Sequence, residues 1–264
     1  MNSDDVKATA DPRDQFDLSG KRALITGASS GLGRRFAWTL ARAGAEVLIA
    51  ARSEDKLASL KKEIEQFGGS AICVSLDVRD RRKIRDTIDA LELEAPIDVL
   101  VNNAGVAIVK APERYKDEDW DAVYETNLRG PWVLAQTVIK HRINDGKPCS
   151  IINIASVLGV RPLGHIPPYA AAKAGMINLG RDLCVDLASK GIRINAIAPG
   201  YFETEMNREW LKTPAGEKLL QGIPAGRFGQ PSDLDGAILF LASDASSFMN
   251  GNLMTIDGGH SAGL

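Results

Sequence analysis

Apolar residues in this chain fall into short, nearly unbroken runs that alternate with longer stretches whose apolar positions recur every three or four residues. The runs at 22–26, 46–50, 71–75, 99–102, 150–154, 192–197 and 253–257 read as β-strands. The periodic stretches at 32–43, 55–67, 79–91, 118–141, 169–189 and 233–242 read as helices. Gly44 ends the first helix and Gly68-Gly69 the second. Pro167 and Pro168 suit the start of the helix at 169–189. Strands that are apolar at almost every position imply a sheet covered on both faces. Regular strand–helix alternation implies parallel strands joined by helical crossovers. The expectation is an α/β, doubly wound parallel sheet in one domain over 18–264, behind a polar, Asp-rich extension at 1–17 that is disordered or loosely docked. The stretch 201–229 breaks the alternation, mixing Phe202, Met206, Trp210 and Leu211 with Pro214, Gly216, Gly222 and Pro224. A segment that long inside a compact domain is usually functional and reads as a lid.

Composition narrows the partners. A formal net charge of −2 over 264 residues gives no electrostatic case for nucleic acid or an anionic membrane. No apolar run approaches the ~20 residues of a membrane span. Cys73, Cys149 and Cys184 are odd in number and widely spaced, which fits a reducing cytoplasm, each as a small buried apolar residue. His141, His165 and His260 show no ligand spacing, so no metal site is expected.

The chemistry-bearing residues lie at strand ends. The first strand runs into Gly27-Ala28-Ser29-Ser30-Gly31-Leu32-Gly33 and then a helix. Such a turn lets backbone approach a pyrophosphate at the helix N-terminus. The second strand ends Ala51-Arg52, with no acid where an NAD-selecting fold places one. Arg52 is either a fork for a 2′-phosphate or a solvated surface arginine. Asp77, before Val78, caps a loop or bonds an adenine amino group. Asn102-Asn103-Ala104-Gly105 offers small residues for close cofactor approach, and Asn127 sits mid-helix, where its propensity is poor. Tyr169 and Lys173 stand four apart, on one helix face. A fixed ammonium beside a phenol favours the phenolate, so Tyr169 is expected to titrate below its usual ~10 and act as a general acid/base. Ser156 would hold the reacting oxygen.

These motifs, in order and together with Pro199-Gly200, make the chain similar to the short-chain dehydrogenase/reductase family over about 18–259. The resemblance implies a Rossmann-like fold and a catalytic tetrad of Asn127, Ser156, Tyr169 and Lys173. It implies that Lys173 also bonds the nicotinamide ribose, that Asn127 holds a water in a proton relay, and that Thr204, after Pro199-Gly200, contacts the carboxamide region. The expected cofactor is NADP(H), with NAD(H) possible, because Ala51 and Arg52 replace the NAD-selecting acid; a basic residue in the glycine loop, common in NADP-preferring relatives, is Ser30 here. The expected substrate is a small carbonyl or alcohol compound, a 3-oxoacyl thioester or a sugar or polyol, and the run 226–259 does not separate the two. The expected assembly is a homo-oligomer, a tetramer through the two long helices. A non-catalytic NADP-binding sensor or scaffold on the same fold is the alternative, and turnover would separate it from an enzyme.

Overall fold

The computed structural model describes residues 11–162, 164–205 and 207–263. The strands are β1 (Arg22–Thr26), β2 (Glu46–Ala51), β3 (Ser70–Ser75), β4 (Val99–Asn102), β5 (Cys149–Ile154), β6 (Ile192–Pro199) and β7 (Leu253–Ile256). They form one seven-stranded sheet in the order β3-β2-β1-β4-β5-β6-β7, with every pair parallel. Sequence order reverses between β1 and β4, and at such a switch point the carboxyl ends of the strands open a crevice.

The helices are α1 (Gly31–Arg42), α2 (Glu54–Gln66), α3 (Arg81–Glu94), α4 (Asp117–Tyr124), α5 (Gly130–Asp145), α6 (Pro167–Leu187), α7 (Arg208–Leu211), α8 (Pro214–Gln221) and α9 (Asp235–Ala242). Alternate residues of each central strand face opposite layers. Ala23 and Ile25 of β1 join Phe36, Leu40, Leu60, Ile64 and Ile238 on the α1/α2/α9 side. Leu24, between them, joins Ile84, Ile88, Val133, Leu134 and Val138 on the α3/α5 side. Full burial of such a side chain is worth about 1.5–3 kcal/mol, so the two layers fix which faces of the sheet are covered. No helix among the described residues is long and apolar enough to cross a membrane.

Several elements differ from the sequence expectation for physical reasons. The stretch 118–141 is not one α-helix: a π-helical turn at Glu125–Arg129 separates α4 from α5. Pro131 has no N–H for the carbonyl of Asn127, so the ordinary i→i−4 ladder fails there and Gly130 donates to Glu125 instead. The helix expected at 79–91 starts at Arg81 because Asp80 caps it, accepting from Lys83 N at 3.0 Å. Cys149 is buried, but Cys184 is half-buried and Cys73 is exposed. Cys73 sits on edge strand β3, whose outward residues meet solvent. Residues 12–16 form a short turn of helix after Asp11, leading into the buried Leu18, while 1–10 lie outside the described residues.

Candidate active site

The glycine loop builds the first wall of the crevice. Gly27 and Gly31 take φ of +68° and +54°, a region that favours glycine. A Cβ on Gly33 would lie 2.4 Å from the Gly27 carbonyl oxygen, so the loop closes onto its helix only with glycine there. A Cβ on Gly31 would meet Thr204 Cγ2 at 3.6 Å, an ordinary contact, so its positive φ and not crowding calls for glycine there. Ser29 lies half-buried in the turn and Leu32 packs on the core below. Ser30 is the N-cap of α1, yet its side chain makes no capping bond. The first N–H groups of α1 therefore lack a side-chain acceptor at the positive end of the helix, which suits a phosphate.

The floor comes from β4. Thr26 Oγ1 accepts from the N–H of Asn103 at 3.0 Å and of Ala104 at 3.1 Å, while Asn103 Nδ2 donates to the Thr26 carbonyl at 2.9 Å. A Cβ on Gly105 would sit 3.3 Å from Asn127 Oδ1 and 3.7 Å from Lys173 Nζ, so this glycine keeps the crevice clear beside both. At the far end, Arg52 is exposed just past β2. Asp77, just past β3, accepts from Arg79 N and Nη2, both at 2.9 Å. The Arg79 guanidinium holds the Asp77 carboxyl below its ordinary range, and the charge of Arg52 adds to this. Val78 is buried, its carbonyl against Gly130. Arg34 and Arg35 are spent elsewhere, on Glu63 and Asp235. Pro199 ends β6, Gly200 donates to the Ile256 carbonyl at 2.9 Å, and Phe202 is buried. Thr204 donates from N and Oγ1 to Asn207 Oδ1 at 2.8 and 3.1 Å, which holds it opposite Gly31.

Asn127, Ser156, Tyr169 and Lys173 gather at the middle of this edge. Lys173 is 3% exposed and donates from Nζ to the Ile154 carbonyl at 2.7 Å. Burial pulls its pKa down to about 8. Its Nζ lies 5.7 Å from the Tyr169 ring centroid. Ser156 hydrogen-bonds Tyr169, and Ser156 Oγ also accepts from Leu158 N at 3.1 Å. Burial pushes the Tyr169 phenol up, and the Ser156 bond offsets only part of that. This corrects the expected downward shift: in the free chain the lysine is itself desolvated and tied to Ile154. Asn127 is fully buried, accepting from Val106 N and donating to the Val106 carbonyl, each at 2.8 Å. Its side chain is thus committed, while its own carbonyl, inside the π-turn, has lost the donor that Pro131 cannot supply.

Three supports of the site were not legible in the sequence: the Thr26 hydroxyl and the carbonyls of Val106 and Ile154. Only the position of Thr26 at a strand end, before the glycine loop, carried any signal. On the substrate side, His165 is exposed with φ +56°, and its carbonyl accepts from Lys110 N at 3.0 Å and Tyr115 Oη at 3.1 Å. Arg161 donates to the Ser261 carbonyl of the C-terminal tail. The two ends of the 201–229 stretch are clamped: Gly229 N donates to the Tyr201 carbonyl at 2.9 Å and Glu203 N to the Gly229 carbonyl at 2.8 Å. Between them α7 and α8 are short, and Trp210 is 47% exposed. Met206 lies outside the described residues.

A glycine loop feeding α1 at the switch point and a Ser-Tyr-Lys cluster at the neighbouring strand ends describe a dinucleotide-type oxidoreductase fold. The short chain dehydrogenase family matches residues 21–215, and the chain belongs to it. Members work on alcohol and carbonyl groups. The chain is 42% identical to the 3-oxoacyl-[acyl-carrier-protein] reductase of Thermotoga maritima, over 92% of this chain and 98% of that one. It is 40% identical to the gluconate 5-dehydrogenase of Gluconobacter oxydans, over 95% and 98%. Its fold is similar to that of a gluconate 5-dehydrogenase from Burkholderia cenocepacia solved with NADP and tartrate, with a TM-score of 0.90, 41% identity and coverage of 95% and 99%.

Proposed function

We propose that this protein is an NADP(H)-dependent oxidoreductase that interconverts a secondary alcohol and a ketone through Ser156, Tyr169 and Lys173. The observation that carries the reading is the buried Lys173 ammonium, fixed by the Ile154 carbonyl one helical turn from a Tyr169 hydroxyl that Ser156 bonds. A buried cation beside a half-buried phenol is costly to keep unless the site uses it. The cofactor fits this chain's cradle: a tight turn with positive φ at Gly27 and Gly31, uncapped N–H groups at α1, and a clear face at Gly105.

Gly27, Ser29, Ser30, Gly31, Leu32 and Gly33 would hold the pyrophosphate, and Arg52 the 2′-phosphate. Asp77 and Val78 would receive the adenine. Asn103, Ala104 and Gly105 would line its path, Tyr169 and Lys173 would bond the nicotinamide ribose, and Pro199, Gly200, Phe202 and Thr204 would meet the carboxamide end. When bound, the cofactor supplies or takes up the hydride at the substrate carbon. In the reducing direction Tyr169 gives its phenolic proton to the substrate oxygen, and in the oxidising direction it takes that proton back. Ser156 donates a hydrogen bond to the same oxygen. Lys173 stabilises the phenolate, and the Asn127 carbonyl, which Pro131 cannot bond, would hold a water that returns the proton.

The relatives name two substrate classes, acyl-carrier thioesters and gluconate-type hydroxy acids. The tartrate complex of one neighbour favours the hydroxylated class for this chain. The assembly we favour is a closed homo-oligomer, a tetramer, in a reducing cytoplasm. A groove of about 880 Å³ between α4, α5 and α6, where Trp120, Tyr124 and Trp132 lie among Asp121, Glu125 and Arg129, offers a mixed aromatic and charged face for it, and a monomer in sedimentation would contradict this. The functional reading is tested by following NADPH consumption, beside NADH, across a panel of ketones, sugars and 3-oxoacyl thioesters. Turnover of at least one ketone with NADPH preferred is expected; binding of NADPH without turnover of any member would leave only a sensor.

A further inference from the structure

Three stretches far apart in the chain, at Arg161, Tyr201 and the tail 257–261, meet beyond the carboxyl ends of β5 to β7. Tyr201 follows β6, whose Ile197 pairs with Ile154 of β5, so Tyr201 and Ser156 leave neighbouring strands at the same sheet edge. The Tyr201 hydroxyl oxygen is shut away from solvent and has no hydrogen-bond partner among the described residues. Its ring stands 5.7 Å, centroid to centroid, from the imidazole of His260. The tail that carries His260 is held in place. Asp257 accepts from Gly259 N at 2.9 Å and Ser261 N at 2.7 Å, and Arg161 donates to the Ser261 carbonyl. Tyr201 itself is pinned through its carbonyl by Gly229 N, and Gly200 before it by Ile256. The hydroxyl therefore has little freedom to find a partner elsewhere in the fold.

Burial pushes the Tyr201 phenol up to about 12, and the neighbouring Tyr169 adds to the shift. Tyr201 thus stays a neutral O–H donor throughout the working range, beside a tyrosine that exchanges protons. A buried polar group without a protein partner calls for an explanation, and a ligand oxygen is one that the position supports. Ser156 and Tyr169 are both committed to the oxygen on the reacting carbon. A second donor on the same side can serve an oxygen one carbon away.

We propose that Tyr201 orients the substrate by donating its hydroxyl to an oxygen on the carbon next to the reacting one, so that the enzyme selects α-hydroxy ketones and vicinal diols. This rests on Tyr169 being the proton donor to the reacting oxygen. A site built to bond a substrate hydroxyl discriminates strongly against the analogue that lacks it, because the protein donor is then left unpaired.

The test uses two matched pairs, 3-hydroxybutan-2-one against butan-2-one and 2-hydroxycyclohexanone against cyclohexanone, reduced with NADPH by the wild type and by Tyr201→Phe. The wild type is expected to favour the hydroxy ketone of a pair by about 100-fold in kcat/KM. Tyr201→Phe should lose about 10-fold or more on the hydroxy ketones and less than about 2-fold on the plain ketones. Its NADPH Kd and Tm should match the wild type, since the hydroxyl holds nothing within the fold. Equal losses on both members of a pair, no loss at all, or a lowered Tm would each overturn the assignment, leaving the hydroxyl to a structural water or to packing. Activity on other ketones of the panel but on neither pair would overturn Tyr201 alone. Inactivity across the whole panel would overturn the reading of the site on which it rests.

Discussion

The two halves of the crevice are built differently. On the side proposed for the adenine, backbone does the shaping: a glycine loop, the Thr26 hydroxyl gripping two N–H groups, and a carboxylate locked by Arg79 two residues on. Its nearby charges are also paired, Arg34 with Glu63 and Arg35 with Asp235. On the side proposed for the substrate, side chains from three separate stretches converge, α7 and α8 are short, Trp210 is half-exposed and the Tyr201 hydroxyl has no partner among the described residues. Backbone shape binds what every family member shares, whereas side chains bind what differs. The adenine half therefore announces itself through spacing, and the substrate half does not.

The comparison breaks most visibly at Gly33. Gly33→Ala drives a methyl group onto the Gly27 carbonyl and Asn103 Nδ2, each 2.4 Å away. NADPH and NADH binding should both weaken beyond ~100-fold, about 3 kcal/mol, in a titration by protein fluorescence. Retained affinity would mean that the loop does not shape the site.

Between the halves, Lys173 gives a pH test. Its folded pKa of about 8 lies below the unfolded ~10.4, so the unfolded chain binds more protons between those values. Stability relative to a Lys173→Met variant should therefore rise with pH across that window, by on the order of 2–3 kcal/mol, and be lost again as pH falls through 8. Urea unfolding of both proteins at pH 7 and pH 10 measures it. A constant difference would show that Lys173 is not desolvated.

Arg52 sharpens the adenine side. Because its guanidinium is exposed, Arg52→Ala should cost about 1.5 kcal/mol, roughly 10-fold, in NADPH affinity, with NADH affinity unchanged. Equal weakening of both would end the 2′-phosphate assignment. The smallest effect belongs to Trp210→Ala, expected to raise substrate KM by about 3-fold at constant NADPH Kd, as a partly exposed contact on a short helix should. A change confined to the cofactor would put the 201–229 stretch over the wrong end of the crevice.

Most of the sheet was legible because covered strands leave unbroken apolar runs, and β1 and β4 match the expected ranges. The glycine loop and the residues Asn127, Ser156, Tyr169 and Lys173 stood out in the sequence as spaced motifs, and the fold brings them to one edge of the sheet. What stayed hidden are partners without a residue signature. The Ile154 carbonyl that holds Lys173 and the Val106 peptide that holds Asn127 are main-chain groups, which any residue supplies. The π-turn depended on coupling Pro131 to a carbonyl four residues back. The upward shift of Tyr169 depended on burial, to which the four-residue spacing of Tyr169 and Lys173 is blind.

The central claim is that Tyr169 carries the proton while the cradle carries the cofactor. Tyr169→Phe keeps the ring and removes the hydroxyl that Ser156 bonds. With a ketone the wild type reduces, kcat should fall by at least ~100-fold, the span of general acid catalysis, while the Kd for NADPH stays within about 3-fold. A variant that retains near wild-type kcat would contradict the account.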